Sequence, residues 1–538
     1  MTAVPHYSRW GDPAKAGPIP ESMLPLVEAA FQAPEPMPSV ELAQLVPAPS
    51  TLSSDQLSVL AEILGGETQI DTSDETRARH AGGCSTIDLL HRRSGDLRDA
   101  PDAVVLPENH EQVSELLHWA SENHVAVVPF GGGTSVVGGL SPVRDGFSAV
   151  LALDLQRMNR LVEFDEVSMT ATFEPGARGP EAEAALAQHG VTLGHLPQSF
   201  EYATIGGFAA ARSSGQSSAG YGRFDQLVTA LRVATPTGDL DLGRGPANAA
   251  GPDLRQLVLG SEGAFGVITA VTVRVRPIPA ERWAAGIPMP SFKAGADALR
   301  ELYRARLPLT VVRLSDEAET AINLANPDAI GGENAGGSLL IIGVEGTAEQ
   351  IALGKQGALE IITRHGGGTP DEGAGEHWYE GRFNGPYLRD GLLDTGVLVD
   401  TLETVTEWSN LDTVYQAVSG AIHQQIGDAP HLVLCHVSHL YETGASLYFT
   451  VATRATADPI DQWLDIKRAA SDAMTGAGAS ITHHHAVGRD HQPWLQREIG
   501  DVGIRILQAV KRELDPRGIL NPGILVPMSS TAAIVEHS

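Results

Sequence analysis

A chain of 538 residues is too long for a single hydrophobic core and predicts two or three domains. Its formal charge of −29 disfavours nucleic acid and anionic lipid as electrostatic partners, although a local basic pocket for a phosphate is compatible with it. The two cysteines, Cys84 and Cys435, lack zinc-type or CxxC spacing and predict a reducing, cytoplasmic location. No secretory pattern and no apolar run of about 18 residues is visible, so we expect neither export nor a membrane span.

The first half of the chain predicts an extension followed by an α/β region. Residues 1–100 predict a helical extension, with its clearest helix over Ser54–Leu64. From residue 101 onwards, short apolar strands alternate with a helix. The predicted strands are Asp102–Leu106, Val125–Phe130 and Ala149–Leu155, and the helix is Glu111–Asn123. The region 161–174 alternates in the manner of antiparallel strands.

Two prolines, Pro277 and Pro279, mark the boundary that we place between a first domain at 101–279 and a second at 280–490. Beyond them, apolar strand patterns alternate with amphipathic helix patterns. This order predicts a cap domain of α+β type with an antiparallel sheet. Residues 491–538 predict a C-terminal helix over Asp501–Leu514 and a tail rich in glycine and proline, which completes the binding site of the first domain.

A glycine-rich loop after the second predicted strand is the first candidate binding element. It comprises Pro129, Phe130, Gly131, Gly132, Gly133, Thr134 and Ser135. Consecutive glycines leave backbone N–H groups uncovered and permit positive φ, so such a loop can wrap a diphosphate. The loop matches neither a Walker loop nor the GxGxxG fingerprint. Taken alone, it is equally compatible with a plain turn between strands.

Three further segments of small and polar residues follow in the same domain. The second segment is Gln198, Ser199, Phe200, Glu201, Tyr202, Ala203 and Thr204. The third is Ala211, Arg212, Ser213 and Ser214. The fourth is Glu262, Gly263, Ala264, Phe265, Gly266, Val267 and Ile268. Together with the glycine-rich loop, these four loop segments suit one extended ligand that lies between two subdomains.

In this order, the four loop segments resemble the flavin domain of the vanillyl-alcohol oxidase and p-cresol methylhydroxylase superfamily, over about residues 102–279. The resemblance implies an α+β protein, with a two-subdomain FAD-binding fold and an α+β cap domain. It also implies that the loop segments hold the pyrophosphate, ribityl chain and isoalloxazine of FAD. Some members attach FAD through a histidine near the first segment. Because residues 131–135 contain neither His nor Cys, we expect non-covalent FAD.

The second half of the chain resembles alkyldihydroxyacetonephosphate synthases, which are ether-lipid enzymes, and the likeness is strongest for actinobacterial members. It rests on residues 386–390, with the sequence Pro-Tyr-Leu-Arg-Asp, on 312–314, on 436–439, on 444–449, and on the three consecutive histidines in 483–488. The resemblance implies that Tyr448 removes a proton from C1 of acyl-dihydroxyacetonephosphate. It further implies that Arg389 and one of the three histidines hold the phosphate, while Arg313 orders the flavin side of the pocket.

The residues themselves leave other interpretations open. Arg389 can clamp a phosphate through its planar guanidinium, or it can form a structural ion pair with Asp390 or Asp394. Tyr448 lies on the apolar strand Ser446–Val451, where a buried tyrosine commonly finds one hydrogen-bond partner and only packs. Beside an oxidised flavin and cationic side chains, its pKa would instead fall, and it would act as an acid or a base.

The three histidines, His483, His484 and His485, suggest a metal site at first. Consecutive side chains point in different directions, so one ion cannot use all three, and we predict no metal. A cluster for phosphate binding and proton transfer fits them better. His436 and His439 also have metal-like spacing, but the chain lacks the His/Gly/Asp/Gly/Asn motif of flavin dehydrogenases that act on 2-hydroxy acids.

These observations predict an enzyme similar to alkyldihydroxyacetonephosphate synthase, which exchanges the acyl group of acyl-dihydroxyacetonephosphate for a fatty alcohol. In that family the reaction is redox-neutral and proceeds through an adduct at flavin N5. The alternative is an FAD-linked oxidase or dehydrogenase of a hydroxylated small molecule, and a third hypothesis is a flavin-binding regulator without catalysis. We expect a cytoplasmic homodimer that contacts a membrane peripherally and binds no nucleic acid.

Overall fold

The computed structural model describes residues 4–32, 34–37, 39–324 and 337–527. The first sheet has four strands in the order β1-β2-β4-β3. They are Ile70–Asp71 (β1), Ala103–Val105 (β2), Val125–Phe130 (β3) and Ala149–Asp154 (β4). β2, β3 and β4 pair in parallel, and β1, which comes from the N-terminal extension, is antiparallel to β2. All six residues of β4 are buried, as expected for a parallel strand covered on both faces.

A second subdomain consists of an antiparallel sheet with the order β5-β6-β10-β8-β9 and a two-stranded ribbon of β7 and β11. The strands are Leu161–Asp165 (β5), Thr170–Phe173 (β6), Val191–Thr192 (β7), Val228–Thr235 (β8), Gly238–Leu242 (β9), Val267–Arg274 (β10) and Arg276–Pro277 (β11). The first loop segment follows β3 of the first sheet, and the fourth leads into β10 of the second sheet. The two segments therefore lie between the two subdomains.

The cap sheet has six antiparallel strands in the order β12-β14-β13-β16-β17-β15. They are Glu281–Met289 (β12), Leu309–Ser315 (β13), Ser338–Gly346 (β14), Val397–Glu407 (β15), His431–Val437 (β16) and Gly444–Arg454 (β17). One large apolar cluster is built on this sheet and the helices that cover it. The sheet therefore supplies a rigid frame for polar side chains on its strands.

Helices surround these sheets. In the extension they span Leu24–Phe31, Ser54–Leu64, Asp74–Arg79 and Thr86–Ser94. In the first domain they span His110–Asn123, Gly179–Ala187, Ile205–Ala211, Ser218–Tyr221, Phe224–Leu227 and Arg255–Val258. In the cap they span Phe292–Arg304, Glu317–Leu324, Ala348–Arg364, Glu372–Gly381, Gly385–Asp394, Leu411–Ile426 and Pro459–Gly476, and the last helix spans Gln492–Leu514. No helix in the described ranges is long and apolar enough to cross a membrane.

The predicted α+β class with an antiparallel cap sheet is confirmed. The helix over Ser54–Leu64 has the predicted bounds, and Ser53 begins it with a capping box. The last helix is longer than predicted, because it begins at Gln492 rather than at Asp501. Gly500, with φ 70° and ψ 171°, interrupts it and separates two apolar patterns that the sequence does not join.

Candidate active site

The four loop segments meet at one place. A Cβ on Gly132 would lie 2.0 Å from the carbonyl oxygen of Tyr202, so the first and second segments approach backbone to backbone. A Cβ on Gly263 would lie 2.7 Å from the ring of Pro129, which brings the fourth segment against the first. Only glycine fits at such positions, because any side chain would push the segments apart.

The third segment links this group to the cap. The Arg212 guanidinium donates a hydrogen bond to the carbonyl oxygen of Gln256, 2.8 Å away, and so ties the third segment to the turn before the fourth. Ser214 Oγ lies 3.0 Å from Nδ1 of His439, which belongs to the cap. The third segment is therefore the point at which the flavin domain meets the histidines of the cap.

The C-terminal tail closes the same region. Asn521 Nδ2 donates hydrogen bonds to the carbonyl oxygens of Gly139 and Glu262, at 2.9 and 2.7 Å. Two buried polar atoms, Asn521 Oδ1 in the tail and Gln198 Nε2 in the second segment, have no hydrogen-bond partner within the described ranges. Glycine backbone that no Cβ covers and side chains with unpaired polar atoms fit the phosphate, ribityl and ring polar groups of FAD.

Several predicted FAD contacts face other parts of the protein instead. Glu201 accepts a hydrogen bond from Lys15 Nζ at 3.0 Å. The Phe200 ring stacks on the Phe383 ring, with centroids 5.8 Å apart. The segment's side chains at these positions therefore hold the N-terminal extension and the cap against the flavin domain. The apolar members of the loop segments are buried in the protein interior: Phe130, Tyr202, Ala203, Ala264, Phe265, Val267 and Ile268.

On the cap side, a row of polar side chains crosses the sheet. The register places Glu403 of β15 opposite Tyr448 of β17, and Tyr448 opposite His436 of β16. His436 in turn lies opposite Ser315 of β13, two residues after Arg313. Directly opposed residues of antiparallel strands share one face, so these side chains form a single polar row.

Tyr448 lies in the middle of this polar row. Its ring stacks on His436, with centroids 4.8 Å apart, and its hydroxyl donates a hydrogen bond to Thr401 Oγ1 at 3.0 Å. The Arg313 guanidinium lies 3.0 and 3.1 Å from the two ring nitrogens of His436 and pairs with Glu319 at 2.6 Å. Arg313 therefore contacts the tyrosine through His436 and not directly.

The side chains around Tyr448 do not by themselves lower its pKa, and the effect of an adjacent oxidised flavin stays a prediction. Burial raises the pKa of Tyr448 to about 12, because the phenolate would lose solvation that the Arg313 charge does not restore. A tyrosine with this pKa keeps its proton at neutral pH, so any role in proton transfer needs a nearby acceptor.

Two of the consecutive histidines lie beside the Tyr448 ring, whereas its hydroxyl donates to Thr401. The rings of His485 and His484 lie 5.5 and 6.0 Å from the Tyr448 ring, whereas His483 Nε2 is hydrogen-bonded to the Tyr441 hydroxyl. Burial lowers the pKa of His484, and it lowers that of His485 to about 3, so both imidazoles are neutral at neutral pH. His483 is buried, while Tyr448, His484 and His485 keep some accessible surface.

Ring nitrogens of His439, His483 and His484 lie within 4.8 Å of one another, close enough for a metal ion. Hydrogen bonds alone also account for this packing. His439 Nδ1 lies 2.7 Å from Ser218 Oγ, and Nδ1 of His483 lies 2.9 Å from Nδ1 of His484. The absence of a metal stays a prediction.

Arg389 forms the ion pair with Asp390 that was one interpretation of its role, and phosphate binding stays a prediction. Its Nε donates to Asp390 at 2.7 Å, and its Nη1 donates to the carbonyl oxygen of Cys84 at 2.9 Å. Its Nη2 is buried and unpartnered in the part of the chain that the structure describes. The Cys84 N–H donates to the carbonyl oxygen of Ser135 at 2.7 Å, so the backbone of Cys84 connects Arg389 to the end of the first loop segment. The ion pair fixes the guanidinium and leaves one amino group for an anion.

The N-terminal extension contacts the segment that carries Arg389. The sequence did not predict this contact. The backbone N–H of Trp10 donates to the carboxylate of Asp390, and the N–H of Asp12 donates to the hydroxyl of Tyr387 at 3.0 Å. Both acceptors belong to the Tyr-x-Arg-Asp segment. The extension therefore holds the helix that carries Arg389.

Glu403 is the main site residue that sequence reasoning missed. It is enclosed completely, with its side chain 0% exposed, and it accepts hydrogen bonds from the backbone of the consecutive histidines. The signal in the sequence was weak, because β15 also contains Asp400, three threonines and Glu407. Only the complete burial of Glu403 shows that this carboxylate requires partners. Its partners come from a distant segment, which the sequence does not identify.

Comparisons with known proteins agree with this geometry. A family model described as FAD binding domain matches residues 101–241, and one described as FAD linked oxidases, C-terminal domain, matches residues 278–525. The alkyldihydroxyacetonephosphate synthase of Dictyostelium discoideum is 32% identical over 481 residues, which cover 85% of this chain and 79% of that protein. A solved alkyldihydroxyacetonephosphate synthase structure matches with a TM-score of 0.81 and 27% identity, over 96% of this chain and 98% of that chain. A solved p-cresol methylhydroxylase shares the fold, with a TM-score of 0.68 and 15% identity over 88% of this chain and 96% of that chain, which confirms the predicted fold type.

Proposed function

Because this chain belongs to the alkyldihydroxyacetonephosphate synthase-like family of FAD-binding proteins, we propose that it exchanges the acyl group of acyl-dihydroxyacetonephosphate for a fatty alcohol. FAD is its cofactor. The observation that carries the proposal is the cap site, where Tyr448, His484 and His485 keep accessible surface beside the buried His436, His439 and Glu403.

In this proposal, the four loop segments and Asn521 hold FAD without a covalent link. When bound, FAD supplies an electron-poor ring next to which a carbanion at the substrate is stabilised. Asn521 Oδ1 and Gln198 Nε2 offer one acceptor and one donor to its polar groups. Glycines of the first segment let the backbone approach its diphosphate.

Tyr448 acts in the proton transfer at C1 of the substrate. Since burial raises the pKa of this hydroxyl to about 12, it cannot take a proton until its own has left. The neutral imidazoles of His484 and His485 are placed to receive that proton, either directly or through a water molecule, once the dianionic phosphate of the bound substrate has raised their affinity for a proton. Arg313 orients the tyrosine ring through its contact with His436.

Arg389 binds the phosphate of the substrate. Its pair with Asp390 holds the guanidinium in place, and the unpaired Nη2 donates to a phosphate oxygen. Burial lowers the pKa of Arg389, but the charges of Asp390 and Asp400 outweigh this and raise it, so the residue is always cationic.

The test is a product analysis with purified holoenzyme, palmitoyl-dihydroxyacetonephosphate and hexadecanol, without any electron acceptor. Mass spectrometry should detect the hexadecyl ether and free palmitate in equal amounts. No ether product, or product only in the presence of an electron acceptor, would contradict the proposal.

A second candidate is an FAD-linked oxidase or dehydrogenase, which the family model over residues 278–525 favours by its description. This function would reduce an external acceptor in proportion to substrate consumed, which dye reduction measures.

A lipid substrate accords with peripheral membrane contact. We retain that contact, a cytoplasmic location and a homodimer as parts of the proposal.

A further inference from the structure

The loop at residues 482–488, here called the histidine loop, has neither helix nor strand, and two buried carboxylates satisfy its backbone. Glu403 accepts the N–H groups of three consecutive residues and the hydroxyl of Thr482. The N···O distances are 2.6 Å for His483, 3.1 Å for His484 and 2.9 Å for His485. A single carboxylate thus fixes the start of the loop.

Glu262 holds the other end. Its carboxylate accepts the N–H groups of Val487 at 3.1 Å and Gly488 at 2.7 Å. Glu262 belongs to the fourth loop segment and Glu403 to the cap sheet, so the histidine loop is fastened to both domains. Hydrogen bonds to ionised acceptors are stronger than neutral ones, which favours the Glu403 end of the loop, because burial raises the pKa of Glu262 to about 7 and leaves it partly protonated at neutral pH.

We propose that Glu403 is a positioning residue that holds the imidazoles of His484 and His485 at their places beside Tyr448. This inference rests on the proposed function, since it assigns those imidazoles to proton transfer. Glu403 lies directly opposite Tyr448 in the β15–β17 register. The carboxylate therefore fixes the loop backbone at the same point of the sheet that carries the tyrosine.

The charge of Glu403 has a second effect. When an imidazole receives the tyrosine proton, the O–H bond of Tyr448 breaks and an N–H bond forms, and a cation results. Nδ1 of His484 and Nδ1 of His485 lie 3.5 and 4.0 Å from the Glu403 oxygens, so that cation lies beside an anion. Other groups oppose it: Arg223 faces His484, and Lys467 and His491 face His485.

The test compares Glu403→Gln with Asp102→Asn as matched control. Asp102 is also a buried carboxylate that accepts two backbone N–H groups, from Thr51 and Val150, both at 2.8 Å, but it lies away from the cap site. Both variants should lose thermal stability. Only Glu403→Gln should lower kcat, by roughly a hundredfold, with FAD content retained. In Glu403→Gln, the limb of the pH–rate profile that reports histidine ionisation should also move to lower pH. The loss of the Glu403 anion disfavours the imidazolium and so lowers the histidine pKa.

Equal kcat values and unmoved pH profiles in the two variants would overturn the inference. If Glu403→Gln fails to fold, Glu403→Asp provides the test. Aspartate keeps the negative charge, but its side chain is shorter by one methylene group, so the carboxylate lies farther from the histidine loop. We expect a kcat loss of roughly tenfold at an unchanged pH limb, and wild-type kcat would overturn the inference.

Calorimetric titration with dihydroxyacetone phosphate separates this inference from the proposed function. The phosphate dianion should raise the affinity of the nearby imidazoles for a solvent proton, so wild-type protein should bind with proton uptake, detected by repeating the titration in two buffers of different ionisation enthalpy. Glu403→Gln lacks the second anion beside these imidazoles and should bind with less uptake. An inactive wild-type enzyme would contradict the proposed function alone. Equal uptake in the two proteins would contradict the role of Glu403.

Discussion

The two sides of the candidate site are built in different ways. On the flavin side, backbone contacts dominate: Gly132 and Gly263 allow loop segments to meet at distances that no side chain permits. On the cap side, charged and aromatic side chains line up across strands, with Glu403, Tyr448 and His436 in one row. The flavin side is therefore sensitive to added atoms, whereas the cap side is sensitive to lost functional groups.

The largest expected effect tests the cap side. Tyr448→Phe removes one oxygen and keeps the ring stacked on His436. Turnover should fall by roughly a hundredfold or more, with the flavin spectrum and thermal stability nearly unchanged. Steady-state kinetics of the purified holoenzyme measure this.

Tyr415→Phe is the matched control, because its hydroxyl also donates one hydrogen bond, to Asp316 at 3.1 Å, on the opposite side of the cap core. Tyr441 is unsuitable, since its hydroxyl contacts His483. Full activity of Tyr448→Phe would show that Tyr448 takes no part in the proton transfer, and it would favour the oxidase hypothesis.

The next effect concerns Glu262, which connects the flavin side to the histidine loop. Burial raises the pKa of Glu262 to about 7 from its ordinary 4.5, against the pull of the N–H groups of Gly488 and Val487. The folded state then holds a proton that the unfolded state releases, so stability is greatest below about pH 4.5 for this group and falls as the pH rises through 7. The cost at pH 8 is about 3 kcal/mol.

Urea unfolding at a series of pH values measures this effect. Glu262→Gln should flatten the decline between pH 5 and pH 8. An unchanged decline in the variant would show that other groups titrate in this window.

A smaller effect tests the flavin side. Gly132→Ala places a methyl group 2.0 Å from the carbonyl oxygen of Tyr202 and should cost about 2 kcal/mol, with FAD content reduced. FAD released per protein and the melting temperature measure both effects. Gly420→Ala is the control, because among the described residues nothing lies within 4 Å of its Cβ. Normal FAD content in Gly132→Ala would contradict the assignment of the first loop segment.

The smallest expected effect concerns Arg389. Arg389→Lys keeps the charge but loses the planar fork, so affinity for dihydroxyacetone phosphate should fall about tenfold while FAD content stays normal. Arg93→Lys is the control, since Arg93 also pairs with an aspartate of the same helix, Asp394. Unchanged affinity in Arg389→Lys would make its pair with Asp390 purely structural.

The contrast between the two sides also explains what the sequence could predict. The first loop segment is contiguous, so its run of glycines stands out in the sequence, but only the order of all four segments distinguished a binding loop from a plain turn. The cap residues were found only where they stand in a family motif, as Tyr448 and Arg389 do. Glu403 and Thr401 escaped, because strand register decides which side chains meet, and register is not visible in one sequence.

Two further differences have physical causes. The nearby cations do not by themselves lower the pKa of Tyr448, because burial raises it and the Arg313 charge reaches it through His436 and is shared with Glu319. The final helix was predicted from residue 501 only, because Gly500 breaks the apolar periodicity. Local patterns give element type, whereas electrostatic balance depends on the assembled neighbours.

Anaerobic mixing of the holoenzyme with acyl-dihydroxyacetonephosphate tests the central claim, a redox-neutral exchange, most directly. We expect the visible flavin absorbance to fall on mixing and to return when a fatty alcohol is added, with no electron acceptor present. Absorbance that returns only with oxygen or an added acceptor, or that never changes, would contradict the account.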